Sequence, residues 1–137
     1  MRKAKIFYQD YLCGELIEDD LEYIFTYDSE YLKKVDAKPI SLLLPLTNAP
    51  YHSNVLFPFF DGLIPEGFLE DVATKKWNIS YSDRFGILLK TGNNTIGAVK
   101  VVEEWFVYVA EKKLLMKTII GIKNALKSFF HKAYCLL

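Results

Sequence analysis

Glu22-Tyr23-Ile24-Phe25-Thr26-Tyr27 is the stretch that decides the fold. Tyr23, Phe25 and Tyr27 alternate with Glu22, Ile24 and Thr26, and side chains along a strand point to opposite faces in turn, so three aromatics share one face. That is the pattern of an antiparallel strand with one face on a core. Immediately upstream, Lys5-Ile6-Phe7-Tyr8-Gln9 and Leu12-Cys13-Gly14-Glu15-Leu16-Ile17-Glu18 have strand composition, and Asp10 and Asp19-Asp20 supply turn chemistry between them. Residues 5–27 therefore predict a three-stranded meander.

Downstream, Asp28 is placed to cap a short helix over residues 29–34, and Pro39 ends it. Ser41-Leu42-Leu43-Leu44-Pro45-Leu46 reads as a further apolar strand at an edge or strand end, since Pro45 cannot donate to a ladder. Residues 47–54 read as a loop. Residues 65–77 read as a helix with Leu69, Val72, Ala73 and Trp77 near one face. Ser80 or Ser82 can cap another helix over residues 83–90, closed by Gly92. Residues 96–102 read as the last strand of the body. Trp105-Phe106-Val107-Tyr108-Val109 could add one more strand, and residues 111–134 change to a helical period in which Leu115, Ile119, Ile122, Leu126, Phe129 and Ala133 fall on one arc.

The fold class is α+β: a small antiparallel sheet, barrel-like if its edges meet, with two or three short helices and a C-terminal amphipathic helix. Of 137 residues 51% are hydrophobic and 25% charged, enough to bury a core within one domain, residues 1–104, followed by a basic extension, residues 105–137. Formal charge is zero overall, but residues 1–104 hold 11 Lys/Arg against 16 Asp/Glu, and residues 105–137 hold 6 Lys against the single acid Glu111. The zero balance gives no whole-molecule attraction to nucleic acid. Two distant cysteines, Cys13 and Cys135, and an N-terminus without an apolar export core predict a cytoplasmic chain. Lys117, Lys123 and Lys127 interrupt the apolar C-terminal stretch, which argues against a membrane span.

Catalytic signatures fail on inspection. Gly92-Asn93-Asn94-Thr95-Ile96-Gly97 has the glycine spacing of a phosphate-binding loop, but Ala98 and Val99 stand where Lys and Ser/Thr are needed. Asp83-Arg84-Phe85-Gly86 fits a helix N-terminus better than a kinase metal-binding motif. His52 and His131 lack companions at ligand spacing, so no metal or cofactor is expected. Asp61 and Glu66 could pair as carboxylates only if the turn folds them together, and their ordinary reading is turn and helix-start chemistry.

Phe59-Phe60-Asp61-Gly62-Leu63-Ile64-Pro65-Glu66-Gly67, then Phe85-Gly86-Ile87-Leu88-Leu89, then Gly92-Asn93-Asn94-Thr95-Ile96-Gly97-Ala98-Val99 occur in the order that resembles the N-terminal subdomain of HipA-type serine/threonine kinase toxins. Gly14-Glu15-Leu16, Phe25-Thr26-Tyr27-Asp28 with Tyr31-Leu32, and Ile40-Ser41-Leu42-Leu43-Leu44-Pro45-Leu46 extend the similarity upstream, over about residues 4–103. The ATP-binding loop and catalytic core of the kinases have no counterpart in this sequence. The resemblance implies a free-standing HipS-like antitoxin of a three-gene system, binding and inhibiting a HipT-like kinase beside a HipB-like helix-turn-helix DNA-binding protein. The alternative is a non-inhibitory scaffold that assembles the kinase with its repressor.

Under that reading the partner-binding residues are Phe59, Phe60, Asp61, Ile64, Pro65, Glu66, Gly67 and Phe68. Pro65 and Gly67 would hold Phe68 at a rigid corner, where an aromatic makes a good anchor. For Phe59 and Phe60 the core reading is the favoured one, whereas Phe68 divides evenly between core and contact. The basic extension lies outside the family pattern, and its apolar arc needs a cover. Its own acidic body or a second copy is favoured, and a membrane surface is the least favoured.

With no phosphate-binding loop or metal-holding acid set in the sequence, the chain alone is expected neither to hydrolyse ATP nor to autophosphorylate. Incubation with labelled ATP and Mg²⁺ checks this, and label whose incorporation disappears on changing Asp61 or Asp83 would overturn it.

Overall fold

The structure, a computed structural model, describes residues 1–95 and 97–134, without the side chains of Phe106 and residues 126–134. Ile96, Cys135 and the side chains of Leu126, Phe129, His131 and Ala133 thus lie outside the described residues. By internal contacts the chain divides into two compact units, Met1–Glu104 and Trp105–Leu137.

The first unit carries the expected meander. β1 (Arg2–Tyr8), β2 (Tyr11–Glu18) and β3 (Tyr23–Tyr27) pair antiparallel in sequence order, β4 (Tyr51–Ser53) adds to β3, and β5 (Val99–Glu103) adds to β1. The sheet is open, in the order β4-β3-β2-β1-β5, and does not close into a barrel. The alternation on β3 works as read: Phe25 and Tyr27 are buried, and Tyr23 packs on Phe85 with centroids 6.0 Å apart. Ala4 and Ile6 of β1, Cys13 and Leu16 of β2 and Val99 and Val101 of β5 complete the buried face. Phe25 is its centre, with Tyr27 at 4.8 Å and Phe60 at 5.5 Å, both edge-on as ring quadrupoles prefer.

Close packing at this point admits only glycine at position 14. A Cβ there would stand 2.6 Å from the Thr26 carbonyl and 2.8 Å from the Phe25 ring. The adjoining register shift between Ile6 and Phe7 leaves Cys13 as the extra residue of a bulge. The Cys13 thiol is free and buried, and desolvation pushes its pKa up to about 12, which makes it a packing residue and not a nucleophile.

Asp28 caps α1 (Ser29–Leu32), accepting from the amides of Glu30 at 2.9 Å and Tyr31 at 3.0 Å. The apolar run after it is not a strand. Ser41 and Leu44 face each other across a tight turn with Leu42 and Leu43 exposed at its tip. Pro45 removes a ladder donor, and the Tyr27 hydroxyl ties the segment down instead, donating to the Leu44 carbonyl (2.5 Å) and accepting from the Ile40 amide (3.0 Å). Within the expected loop 47–54, β4 forms because Tyr51 stacks on Phe25 and its hydroxyl donates to the Pro45 carbonyl at 2.6 Å.

Three helices follow: α2 (Pro58–Asp61), α3 (Phe68–Trp77) and α4 (Arg84–Thr91), with a single 3₁₀ turn over Gly92–Asn94 before β5. α4 buries Phe85, Ile87, Leu88 and Leu89. Its cap is Asp83, not Ser80 or Ser82: the Asp83 carboxylate accepts from the Gly86 amide at 2.9 Å. The second unit is helical throughout its described length. α5 (Glu104–Tyr134) includes residues 105–109, so the expected extra strand is absent. Ala110, Glu111, Lys112 and Lys113 are good helix formers that continue the run without a break, and a helix already nucleated propagates through it.

Asp83 also receives two bonds from Arg2, at 2.8 and 2.6 Å, while Arg2 Nε donates to Glu18 at 2.5 Å and the guanidinium lies 5.3 Å from the centre of the Phe85 ring. The Arg2 bond is the chief cause holding the Asp83 carboxyl below its ordinary 3.8, against the opposing effect of burial, with the Gly86 amide adding to it. A folded pKa below the unfolded one means that this contribution is complete above the unfolded value and is lost as pH falls through the folded one. D83N keeps an oxygen for the Gly86 amide but loses the charge. Its stability deficit in urea titrations is expected to stay constant from neutrality to about pH 5 and to shrink as the pH drops below that; a deficit unchanged in acid would assign it to packing.

Candidate partner-binding site

Phe57-Pro58 starts α2, with proline at the helical position where its missing N–H costs nothing. The Leu63 amide bonds the Phe60 carbonyl and the Ile64 amide the Asp61 carbonyl, both at 3.1 Å, which drives Ile64 into the core. The chain then turns through Pro65, Glu66 and Gly67. Gly67 has φ +63° and ψ −131°, a conformation open to glycine and strained for L residues. Its carbonyl accepts from the Asp71 amide at 3.1 Å and so starts α3 at Phe68, three residues later than the sequence suggests. Asn78, left-handed at φ 51°, stops α3.

Arg84 fastens the corner from beneath. Its Nε donates to Asp61 at 2.7 Å and a terminal nitrogen to Glu70 at 2.6 Å, tying the end of α2 to the first turn of α3. The Asp61 bond is the main cause raising the Arg84 pKa further above its usual value. Tyr81 adds a bond to the Asp71 carboxylate at 2.7 Å. Asp61 is thus committed to Arg84 and Glu66 is exposed, so the two do not form a carboxylate pair.

The eight predicted residues divide by burial. Phe60 (0% exposed) and Ile64 (3%) are core residues that cannot themselves touch a partner, and half-buried Phe59 packs edge-on against Phe60 at 5.3 Å. Asp61 and Pro65 are half-buried, whereas Glu66 and Gly67 are exposed and Phe68 stands 77% exposed at the start of α3. Leu69 and Val72, read from the sequence as sharing one apolar face, are also exposed, and Trp77 is 39% exposed. Leu69, Val72 and Trp77 join Ile64, Pro65 and Ala73 in lining a cleft of about 560 Å³ that Lys90, Thr91, Asn94 and Thr95 also line. Lys90 is held there by Glu103 at 2.8 Å.

Sequence reasoning passed over the cleft side of α3 because an apolar helical face signals burial without saying against what. It passed over Arg84 because no local spacing links it to Asp61 and Glu70. Among the described residues no group of His, Cys, Asp and Glu is arranged to hold a metal ion, and no helix is long and apolar enough to cross a membrane. His52 bonds Glu22 at 3.0 Å on the surface.

An open five-stranded antiparallel sheet under short helices, with an exposed apolar corner, defines a small α+β domain. The family model of the HipA N-terminal domain matches residues 4–102, and the chain belongs to that family. This ties it to the HipA toxin system, in which the matched domain is a non-catalytic subdomain. It is similar to an uncharacterized protein of Haemophilus influenzae, 38% identical over 104 residues that make up 76% of this chain and 94% of the relative. It is also similar to the putative kinase Y4mE of Sinorhizobium fredii, 26% identical over 105 residues, 76% of this chain but 25% of that protein. Among solved structures, the N-terminal domain of HipA toxin matches at 35% identity with a TM-score of 0.60, covering 76% of this chain and 93% of that one.

The Arg84 bridge gives the corner its rigidity. Arg84→Ala is expected to speed amide exchange across residues 62–71 at least tenfold while leaving β1, β2 and β3 protected; protection that stays unchanged in the corner would show that Pro65 and Gly67 suffice to hold it.

Proposed function

We propose that this protein is an antitoxin that binds a HipA-like serine/threonine kinase and inhibits it by protein–protein contact, through the corner formed by Pro65, Gly67 and Phe68 and the adjoining apolar side of α3. The observation that carries the reading is Phe68, a large aromatic left in water beside Leu69, Val72 and Trp77 on a braced helix start. Exposed apolar surface of this kind, rimmed by charges, marks interaction sites. A rigid aromatic anchor has little side-chain freedom left to lose on binding.

The relatives support a kinase as the partner. In the putative kinase the corresponding segment is a quarter of the chain, and in the Haemophilus protein it is nearly all of it. A domain that rests on the remainder of a kinase in one chain has a surface shaped for that remainder, and the same surface on a separate chain can bind in trans. Binding in trans is concentration-dependent where the fused domain is not, which suits a dose-controlled inhibitor.

Co-expression with a HipA-like kinase is the functional test. Rescue of growth by this chain alone supports inhibition, and rescue only when a DNA-binding partner is also present supports the scaffold role instead. Phe68→Ala is expected to weaken kinase binding by about 2 kcal/mol, the size of a hot-spot truncation. Its thermal stability should match the parent, as an exposed side chain implies. Unchanged affinity in the folded variant would remove the corner as the contact.

A further inference from the structure

We propose that the chain from Pro39 to Phe60 forms a second contact surface, headed by Leu42 and Leu43, that seats in an uncharged apolar hollow of the kinase; this rests on the protein acting on such a kinase. Residues 39–60 contain no Asp, Glu, Lys or Arg, although 25% of the chain is charged, and the next longest run of that kind is residues 91–99. Burial does not account for the lack. Leu42 is 95% exposed, Leu43 73% and Val55 67%, and Pro45 and Leu46 are open to solvent beside them. Chain that stays in water ordinarily carries charge, whereas the centre of a protein–protein interface is depleted of it.

The tip is held by three tyrosine hydroxyls. Tyr31 donates to the Lys38 carbonyl at 2.9 Å and accepts from the Lys38 amide, Tyr27 spans the Ile40 amide and the Leu44 carbonyl, and Tyr51 donates to the Pro45 carbonyl. Ser41 Oγ accepts from the Leu43 amide at 3.2 Å. Leu42 and Leu43 therefore stand on a backbone with little freedom left to lose on docking. The chemistry of the surface selects its partner. With no cation in the run, it has no charge to pair with the phosphates of nucleic acid or of an anionic membrane. A tip that projects two leucines fits a hollow, and two such tips face to face would meet over a few atoms only, which disfavours a second copy. The kinase supplies the need. A stable interface takes about 800 Å² from each partner, about 20–30 residues a side, whereas the corner and α3 offer the side chains of Phe68, Leu69, Val72 and Trp77. The run ends on Phe60, which packs edge-on against Phe57 at 6.2 Å and forms the buried inner side of the corner, so tip and corner stand on one core.

Calorimetric titration of the full chain into the HipA-like kinase of the co-expression test measures the contact. Leu42→Asp combined with Leu43→Asp is expected to raise the dissociation constant at least tenfold at unchanged melting temperature. Leu21→Asp, at a site 87% exposed but outside the run, should leave it unchanged. Amide exchange in the parent complex needs no variant, and residues 42–46 are expected to slow at least tenfold when the kinase is added. Affinity lost in Phe68→Ala but kept in the leucine pair, or exchange at 42–46 that the kinase does not slow, overturns the second surface and leaves the corner standing. A kinase that does not bind the parent chain overturns the antitoxin reading and this surface with it. A chain that sediments at twice 15.9 kDa and becomes monomeric in the leucine variant would also overturn it, by giving the tip to a second copy.

Discussion

Asp83 is the residue on which the first unit closes. One carboxylate caps α4 through the Gly86 amide and receives both terminal nitrogens of Arg2, whose Nε is already bound to Glu18 on β2. The first strand, the second strand and the start of the helix that buries Phe85, Ile87, Leu88 and Leu89 are thereby joined at one point. Gly86 has no side chain because a Cβ there would collide with that carboxylate. Arg2 and Asp83 are 40% and 34% exposed, so solvent screens the pair and its value lies in direction more than in energy. The planar fork of an arginine meets both oxygens of Asp83 at once, which a lysine at position 2 could not do.

The residue after Asp83 ties down the next part of the chain. Arg84 reaches Asp61 and Glu70, and the corner between α2 and α3 is braced from the same helix that fills the core. Phe60 and Ile64 are the inner side of that corner and Phe68 its outer side. The apolar string from Phe59 to Phe68 thus serves two purposes that its composition does not separate, burial on one side and display on the other.

The legible parts of the fold are those governed by local chemistry. The meander follows from the alternation at Tyr23, Phe25 and Tyr27, and the start of α1 from Asp28, whose carboxylate reaches two amides within its own turn. The misread parts depend on distant partners. Ser41 to Leu44 is a turn because Tyr27, far back in the chain, supplies the bonds that a strand neighbour would have made. β4 exists because Tyr51 finds the Phe25 ring. Residues 105–109 have strand composition, yet they lead directly into helix formers, and the cooperative unit they belong to is longer than the window in which their pattern was read. At the candidate site Gly67 and Phe68 were visible from sequence as a turn followed by an aromatic. The exposure of Leu69, Val72 and Trp77 was not, since helical periodicity reports that a face is apolar and is silent about whether anything covers it.

Leaving Phe68 in water is tolerable because the residues around it are constrained by more than their own contacts. Pro65 fixes φ two residues before the positive-φ turn at Gly67, and the Asp71 amide and the Arg84 bridge hold the first turn of α3 on either side. A flexible loop with the same exposed phenylalanine could collapse onto the protein's own apolar surface and hide it; this corner cannot do so without breaking the buried anchorage of Phe60 and Ile64. The core therefore keeps the aromatic exposed, and any affinity the corner has for a partner draws on stability stored beneath it.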